Sequence, residues 1–389
     1  MRAITVVGAS LAGLSAARAL RAQSYDGRIV VIGDEPHQPY DRPPLSKDFL
    51  AGKATVEDIA LSTPDDAALD VDWRLGHKAV GLDAARRAVR LDSGEELVSD
   101  GVVLATGARA RTLPGSALTG VHTLRSLDDA LALRAELAEG GPLVVIGAGF
   151  IGAEVASTAR SLGLDVTVVE ALPTPLAGPL GPEMGALVAA LHLDHGTRLV
   201  TGVGVAGFVG EERVRAVRLA DGRELPAAAV VVGVGATPNV DWLAGSGVGV
   251  DGGVLTDARC VTEVPGIVAV GDCALSYNRF AGAVLRLEHW TNAVQQPEIA
   301  AATLLGRRVE VRSAAPYFWS DQYGVRLQFA GHRRPGDVVG IVEGDPADRS
   351  FAAVYRRGGH PVAVLAVNQP KLFGRLRREL AVPEPEVVR

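Results

Sequence analysis

Gly8-Ala9-Ser10-Leu11-Ala12-Gly13 and Gly147-Ala148-Gly149-Phe150-Ile151-Gly152 are the two stretches on which the fold turns. The first follows a short apolar run, Ala3–Val7, and leads into an Ala/Leu/Arg stretch of helical character as far as Gln23. A second apolar run, 28–32, then ends at Gly33-Asp34-Glu35. The order is strand, glycine-rich turn, helix, strand, acid. It recurs as a strand over Leu143–Ile146, the second turn, a helix continuing over 153–161, and a strand over 165–169 closed by Glu170.

Each copy has one physical logic. The first glycine permits a tight turn, the second small residue lets a pyrophosphate approach the backbone, and the third lets helix and strand pack closely. The helix N-terminus then offers unpaired N–H groups and a positive dipole end to phosphates. A lone hexapeptide of this kind is weak evidence; two copies, each followed by an acid near the second strand's end, predict two dinucleotide sites. The first copy carries Ser10 where a second glycine is usual, a small residue that dents the motif without breaking it. Segments 102–108 (VVLATGA) and 231–238 (VVGVGATP) each read as a buried strand running into a glycine turn, as at a crossing between domains. A third strand-to-acid segment, 266–274 (GIVAVGDCA), sets Asp272 where it can accept from the hydroxyls of a flavin ribityl chain or simply cap a helix.

A strand-end acid accepts hydrogen bonds from ribose hydroxyls and repels a 2′-phosphate. In the second copy that acid is Glu170, and no Arg or Lys stands between it and Glu183, so NADH is expected over NADPH. In the first copy spacing alone leaves Asp34 and Glu35 both open.

The totals bound the rest. A chain of 389 residues, 48% hydrophobic, suggests two or three domains with a substantial core. A formal net charge of −6 argues against nucleic acid as the main partner. The two cysteines, Cys260 and Cys273, make no disulfide framework, and a cytoplasmic thiol environment is the simplest reading. No signal peptide precedes the first strand, and the apolar run 143–156 is too short and interrupted to span a bilayer. No metal ligands are assigned.

The stretches PYDRPPLSK (39–47), GAGFIGAEVA (147–156), AVGDCA (269–274), EHWTNAVQQ (288–296) and PYFWSDQYG (316–324) together resemble the FAD-dependent NADH:ferredoxin reductases of oxygenase systems, of the putidaredoxin reductase and biphenyl dioxygenase type. The resemblance covers nearly the whole chain. It implies an α/β fold of two Rossmann-like dinucleotide-binding domains, for FAD and NAD, plus a C-terminal α+β domain. The FAD domain would be 1–110 with 236–309, the NAD domain 111–235 and the last domain 310–389, with strands near 326–331, 338–343, 350–356 and 362–366 and a basic helix at 369–380. FAD would be held by Gly8, Ala12, Gly13, Asp34, Arg42, Lys47, Val80, Ala105, Arg125, Asp272 and Trp290, the family pattern favouring Asp34 over Glu35. NAD would be held by Gly147, Gly149, Ile151, Gly152, Glu170 and Gly235. Lys47 and Glu154 would form an ion pair beside the flavin, Glu154 also orienting the nicotinamide; a surface lysine and a solvated helix-face glutamate are the plainer alternatives. A helix starting near Thr291-Asn292, with the Trp290 N–H just ahead of it, would face the flavin.

Hydride transfer needs positioning more than acid–base work. The relatives of this fold that reduce disulfides or peroxides carry redox cysteines soon after the first acid, and the segment 40–50 has none. Without a thiol relay the electrons must leave the flavin for an outside acceptor. By resemblance this is a [2Fe-2S] ferredoxin serving a cytochrome P-450 or Rieske-type oxygenase, with Trp319 at the mouth of the flavin site. Lys371, Arg375, Arg377 and Arg378, with Arg307 and Arg308, could steer an acidic partner or merely solvate helix faces. Rubredoxin or another small acceptor is the alternative on the same scaffold, and a thiol oxidase or a signalling flavoprotein are more distant ones. A monomer or weak dimer with no membrane attachment is expected.

Overall fold

The computed structural model describes residues 1–308, 311 and 314–380. In chain order, β1 (Ala3–Val7), α1 (Leu11–Ala22), β2 (Arg28–Gly33), β3 (Val71–Leu75) and β4 (Gly101–Leu104) build most of a first sheet. The chain leaves through β5 (Ala108–Ala110) and builds a second sheet and its helices from β6 (Val121–His122), α2 (Leu127–Ala138), β7 (Leu143–Ile146), α3 (Phe150–Ser161), β8 (Val166–Glu170), α4 (Pro182–Asp194), β9 (Arg198–Thr201) and β10 (Ala229–Val232). It returns through β11 (Ala236–Pro238), which pairs antiparallel with β5, so the two crossing segments lie side by side. Then β12 (Ile267–Ala269) joins the first sheet beside β4, and α5 (Trp290–Leu304) packs on α1.

The strand orders are β12-β4-β1-β2-β3 and β6-β10-β7-β8-β9, all parallel, so the second sheet repeats the first strand for strand. Both sheets are covered on their faces, and their central strands are continuous apolar runs such as LVVI in β7, as buried parallel strands require. Small antiparallel ribbons interrupt each half, at 79–98 and 205–226.

The C-terminal part is a five-stranded antiparallel sheet, β13 (Tyr317–Gln322), β14 (Val325–Gly331), β15 (Val338–Asp345), β16 (Ser350–Arg357) and β17 (His360–Val367), ordered β13-β14-β17-β16-β15. Helix α6 (Pro370–Arg378) lays Leu372, Phe373 and Leu376 on one face of it. The boundary expected at 309/310 lies outside the described residues. Four of the strands fall where the sequence puts them; β13 was not anticipated as a strand. Among the described residues no helix is long and apolar enough to cross a membrane.

Candidate functional site

The two glycine-rich turns are superimposable in their constraints. A Cβ on Gly8 would lie 2.0 Å from the Ala105 carbonyl oxygen, and one on Gly147 would lie 2.3 Å from that of Gly233. Both residues have positive φ, 121° and 97°, which alone favours glycine. A Cβ on Gly13 would meet the Gly8 oxygen at 1.8 Å, and one on Gly152 the Gly147 oxygen at 2.1 Å. The middle position behaves differently: a Cβ on Gly149 would meet nothing within 4 Å. The outer glycines therefore serve the protein's own packing, and the middle one leaves room at the mouth of the turn. The helices begin inside the hexapeptides, at Leu11 and Phe150. No side chain caps either N-terminus, so the first-turn N–H groups stay available.

The acids differ between copies. Val7 pairs with Ile32 and Ile146 with Val169, which makes Gly33 the counterpart of Glu170. A Cβ on Gly33 would lie 2.5 Å from the Ala9 Cβ, so the acid of the first copy is displaced beyond the strand. Glu35 is engaged: it accepts from Arg42 Nη2 at 2.6 Å and from the Tyr40 hydroxyl, whose own oxygen accepts from the Leu127 N–H at 2.9 Å. Asp34 is exposed, and its carboxylate accepts no hydrogen bond among the described residues. Glu170 accepts from the Ala148 and Leu172 N–H groups, each at 2.9 Å, which ties its carboxylate to the turn. Arg42 is carried to the first turn by the same network, with Nε 3.3 Å from the Ser10 hydroxyl.

Glu154, on α3, is 5% exposed and no solvated helix face. Its Oε2 accepts from Lys47 Nζ and Ser46 Oγ, both at 2.6 Å, and its Oε1 from Ser320 Oγ at 2.6 Å. Lys47 also reaches the Pro43 carbonyl at 3.0 Å, so it is no free surface lysine. Asp272 lies in a single 3-10 turn and pairs with Arg125 at 2.6 Å rather than capping a helix. Gly271 before it has φ 72°, and a Cβ there would stand 3.0 Å from that of Ala12. Ala105 is buried at the end of β4, Val80 and Ile151 are exposed, and Gly235 has φ 105° on the return crossing. Helix α5 starts at Trp290, one residue ahead of expectation, because the extended His289 is its cap. The Trp290 indole donates to Asp41 at 2.8 Å and meets Trp319 edge-on at 6.2 Å. Tyr317 stacks on Trp319 at 6.0 Å, and the Arg377 guanidinium lies over Tyr317 at 4.8 Å. Tyr40, Ser46, Ser320 and Gln296, which accepts from the Gly271 N–H at 2.7 Å, were missed as partners although all four lie in the quoted stretches. Burial pushes the Cys260 thiol to about 12 and the Cys273 thiol upward as well, so neither is poised as a thiolate.

The family model for pyridine nucleotide-disulphide oxidoreductases matches residues 2–297. The chain belongs to that family. A reductase C-terminal model matches residues 317–385 of this oxidoreductase. It is 42% identical over 374 residues to the biphenyl dioxygenase system ferredoxin–NAD(+) reductase component of Paraburkholderia xenovorans, covering 95% of this chain and 91% of that one. It is 38% identical to putidaredoxin reductase of Pseudomonas putida, with 96% and 90% covered. The crystal structure of the covalent putidaredoxin reductase–putidaredoxin complex matches with a TM-score of 0.92 at 36% identity, covering 97% of this chain and 92% of that one. Members of the family use FAD and NAD(H), and the residues present fit both: two uncapped helix N-termini, each behind a turn whose outer glycines have no room for a Cβ. The chain is an FAD-containing NADH oxidoreductase.

Proposed function

We propose that this oxidoreductase carries electrons from NADH through FAD to a [2Fe-2S] ferredoxin that supplies a cytochrome P-450 or Rieske-type oxygenase. The observation that carries it is the Lys47–Glu154 pair, a buried carboxylate with a half-buried lysine, where residues from the first turn's half and the helix of the second turn meet, in a chain with no reactive thiol to take the electrons onward. FAD would lie over 1–110 and 236–309 and NAD over 111–235, with 310–389 beside them.

Bound FAD supplies hydride acceptance from NADH and one-electron release. The chain's residues do the rest. Gly8, Ala12 and Gly13 bring the backbone of the first turn against the FAD pyrophosphate, with Arg42 beside it and Ala105 at the neighbouring strand end. Asp34, left free by Glu35, takes the FAD ribose, with Val80 alongside. Asp272, held by Arg125, accepts from the ribityl hydroxyls. Gly147, Gly149, Ile151 and Gly152 cradle the NAD pyrophosphate, Glu170 its ribose, and Gly235 lines the return crossing. The α5 N-terminus at Trp290 aims its dipole where negative charge develops on the reduced flavin. Lys47 and Glu154 orient the nicotinamide against it.

The test is direct. Purified protein should be yellow, bleach with NADH under anaerobic conditions, and reduce cytochrome c only when a [2Fe-2S] ferredoxin is added. Equal turnover with rubredoxin in its place would move the assignment to that acceptor, and a colourless protein that cannot be reconstituted with FAD would end it.

A further inference from the structure

Glu154 receives three donors from two distant parts of the chain, and one of them, Ser320, belongs to the C-terminal sheet. Ser320 is fully buried on β13, and its oxygen accepts from Gln322 Nε2 at 3.0 Å. Its own proton is thereby committed to Glu154 Oε1, the oxygen that neither Lys47 nor Ser46 uses.

The contact is one rung of a ladder. The Phe150 and Phe318 rings stand 4.8 Å apart, Glu154 meets Ser320, and the Tyr323 N–H donates to Ser157 Oγ at 2.6 Å. Four residues of helix advance about 6 Å and two residues of strand about 6.6 Å, so α3 and β13 stay in step between the first two rungs, and the third comes from Tyr323 in the turn just past β13. The side chains of β13 that point the other way, Tyr317 and Trp319, stack on each other and lie against Phe373 and Trp290 instead.

We propose that Ser320 is a positioning residue for hydride transfer. By holding Oε1 it sets the plane of the Glu154 carboxylate, hence where Lys47 sits on Oε2 and what α3 presents to the nicotinamide ring. The inference rests on the reading above that Lys47 and Glu154 stand where the two cofactor rings meet.

The test uses the holoprotein with Ser320→Ala, Glu154→Gln and the double variant. Flavin reduction by NADH is followed in stopped flow, NAD+ binding by the flavin difference spectrum, and unfolding by the thermal midpoint. Ser320→Ala should slow the limiting reduction rate about tenfold, the order of one hydrogen bond to a charged group. It should also change the shape of the NAD+ difference spectrum and retain FAD. In the Glu154→Gln background Ser320→Ala should cost little more, because both act through one carboxylate. A slow Glu154→Gln with a normal Ser320→Ala, or with fully multiplicative losses in the double variant, overturns the role of Ser320 alone. A normal Glu154→Gln removes the reading on which it stands.

Discussion

Glu170, proposed above to take the NAD ribose, carries a prediction about cofactor choice. Two backbone N–H donors hold it against the second turn, so it cannot swing away from a 2′-phosphate brought to the same place. The kcat/KM with NADH should exceed that with NADPH by at least an order of magnitude, and Glu170→Gln should narrow the gap by removing the repulsion. A wild type that prefers NADPH would refute the assignment. His192 offers a second measurement at this scale. Burial holds its imidazole down at about 4, while it shares a hydrogen bond of 2.8 Å with the Tyr323 hydroxyl. Between the ordinary value near 6.5 and about 4 the unfolded chain binds a proton that the native one refuses, so stability falls as pH drops through that window. The thermal midpoint should decline from pH 6.5 towards 4, and His192→Gln should flatten part of the decline; an unchanged slope would show the proton going elsewhere. Residues of this kind were only partly legible in the sequence. Gly8, Gly13, Gly147 and Gly152 could be read because backbone geometry admits nothing else there. Tyr40 and Ser320 could not, because a hydroxyl reveals its partner only after distant segments meet.

Strand β13 makes the same point for elements. Its inward residues are Phe318, Ser320 and Gln322, two of them polar and buried, and its outward ones include the aromatic Tyr317 and Trp319, so the apolar/polar alternation that marks a half-buried strand is lost. The strands β14, β16 and β17 bury aliphatic and aromatic residues and were read from the sequence alone. Helix α6 was also legible, since Leu372, Phe373 and Leu376 fall on one face and the basic residues on the other. Arg375 faces Glu343 at 3.1 Å, whereas Arg378 is exposed and Arg377 covers Tyr317 next to Trp319. That places positive charge with no ion-pair partner among the described residues beside the aromatic cluster. Reversing charge at Arg377 and Arg378 should raise the KM for an acidic ferredoxin at least severalfold at low ionic strength, and less at high salt. An effect independent of salt would point to lost packing on Tyr317 instead.

At the scale of the molecule, the duplication was visible because strand, turn, helix, strand and acid recur in order; the outer edge strands differ along the chain, β12 coming last in its sheet and β6 first in the other. What the sequence could not show was how the copies face each other. That depends on 40–59 crossing to the second half, where Tyr40, Leu45, Phe49 and Leu50 join its core. The core beneath α1, in contrast, needs Ala293, Ala300, Ala301 and Leu304 from α5. During synthesis, then, the core that Tyr40, Leu45, Phe49 and Leu50 join is complete once residue 232 emerges, although Met184, Val188 and Leu191 of α4 still await the C-terminal sheet, while the core beneath α1 waits some seventy residues more. A chain stopped at residue 250 should yield a protease-resistant fragment spanning the second sheet and hold no flavin. Of the two parallel sheets, the one begun first is covered last.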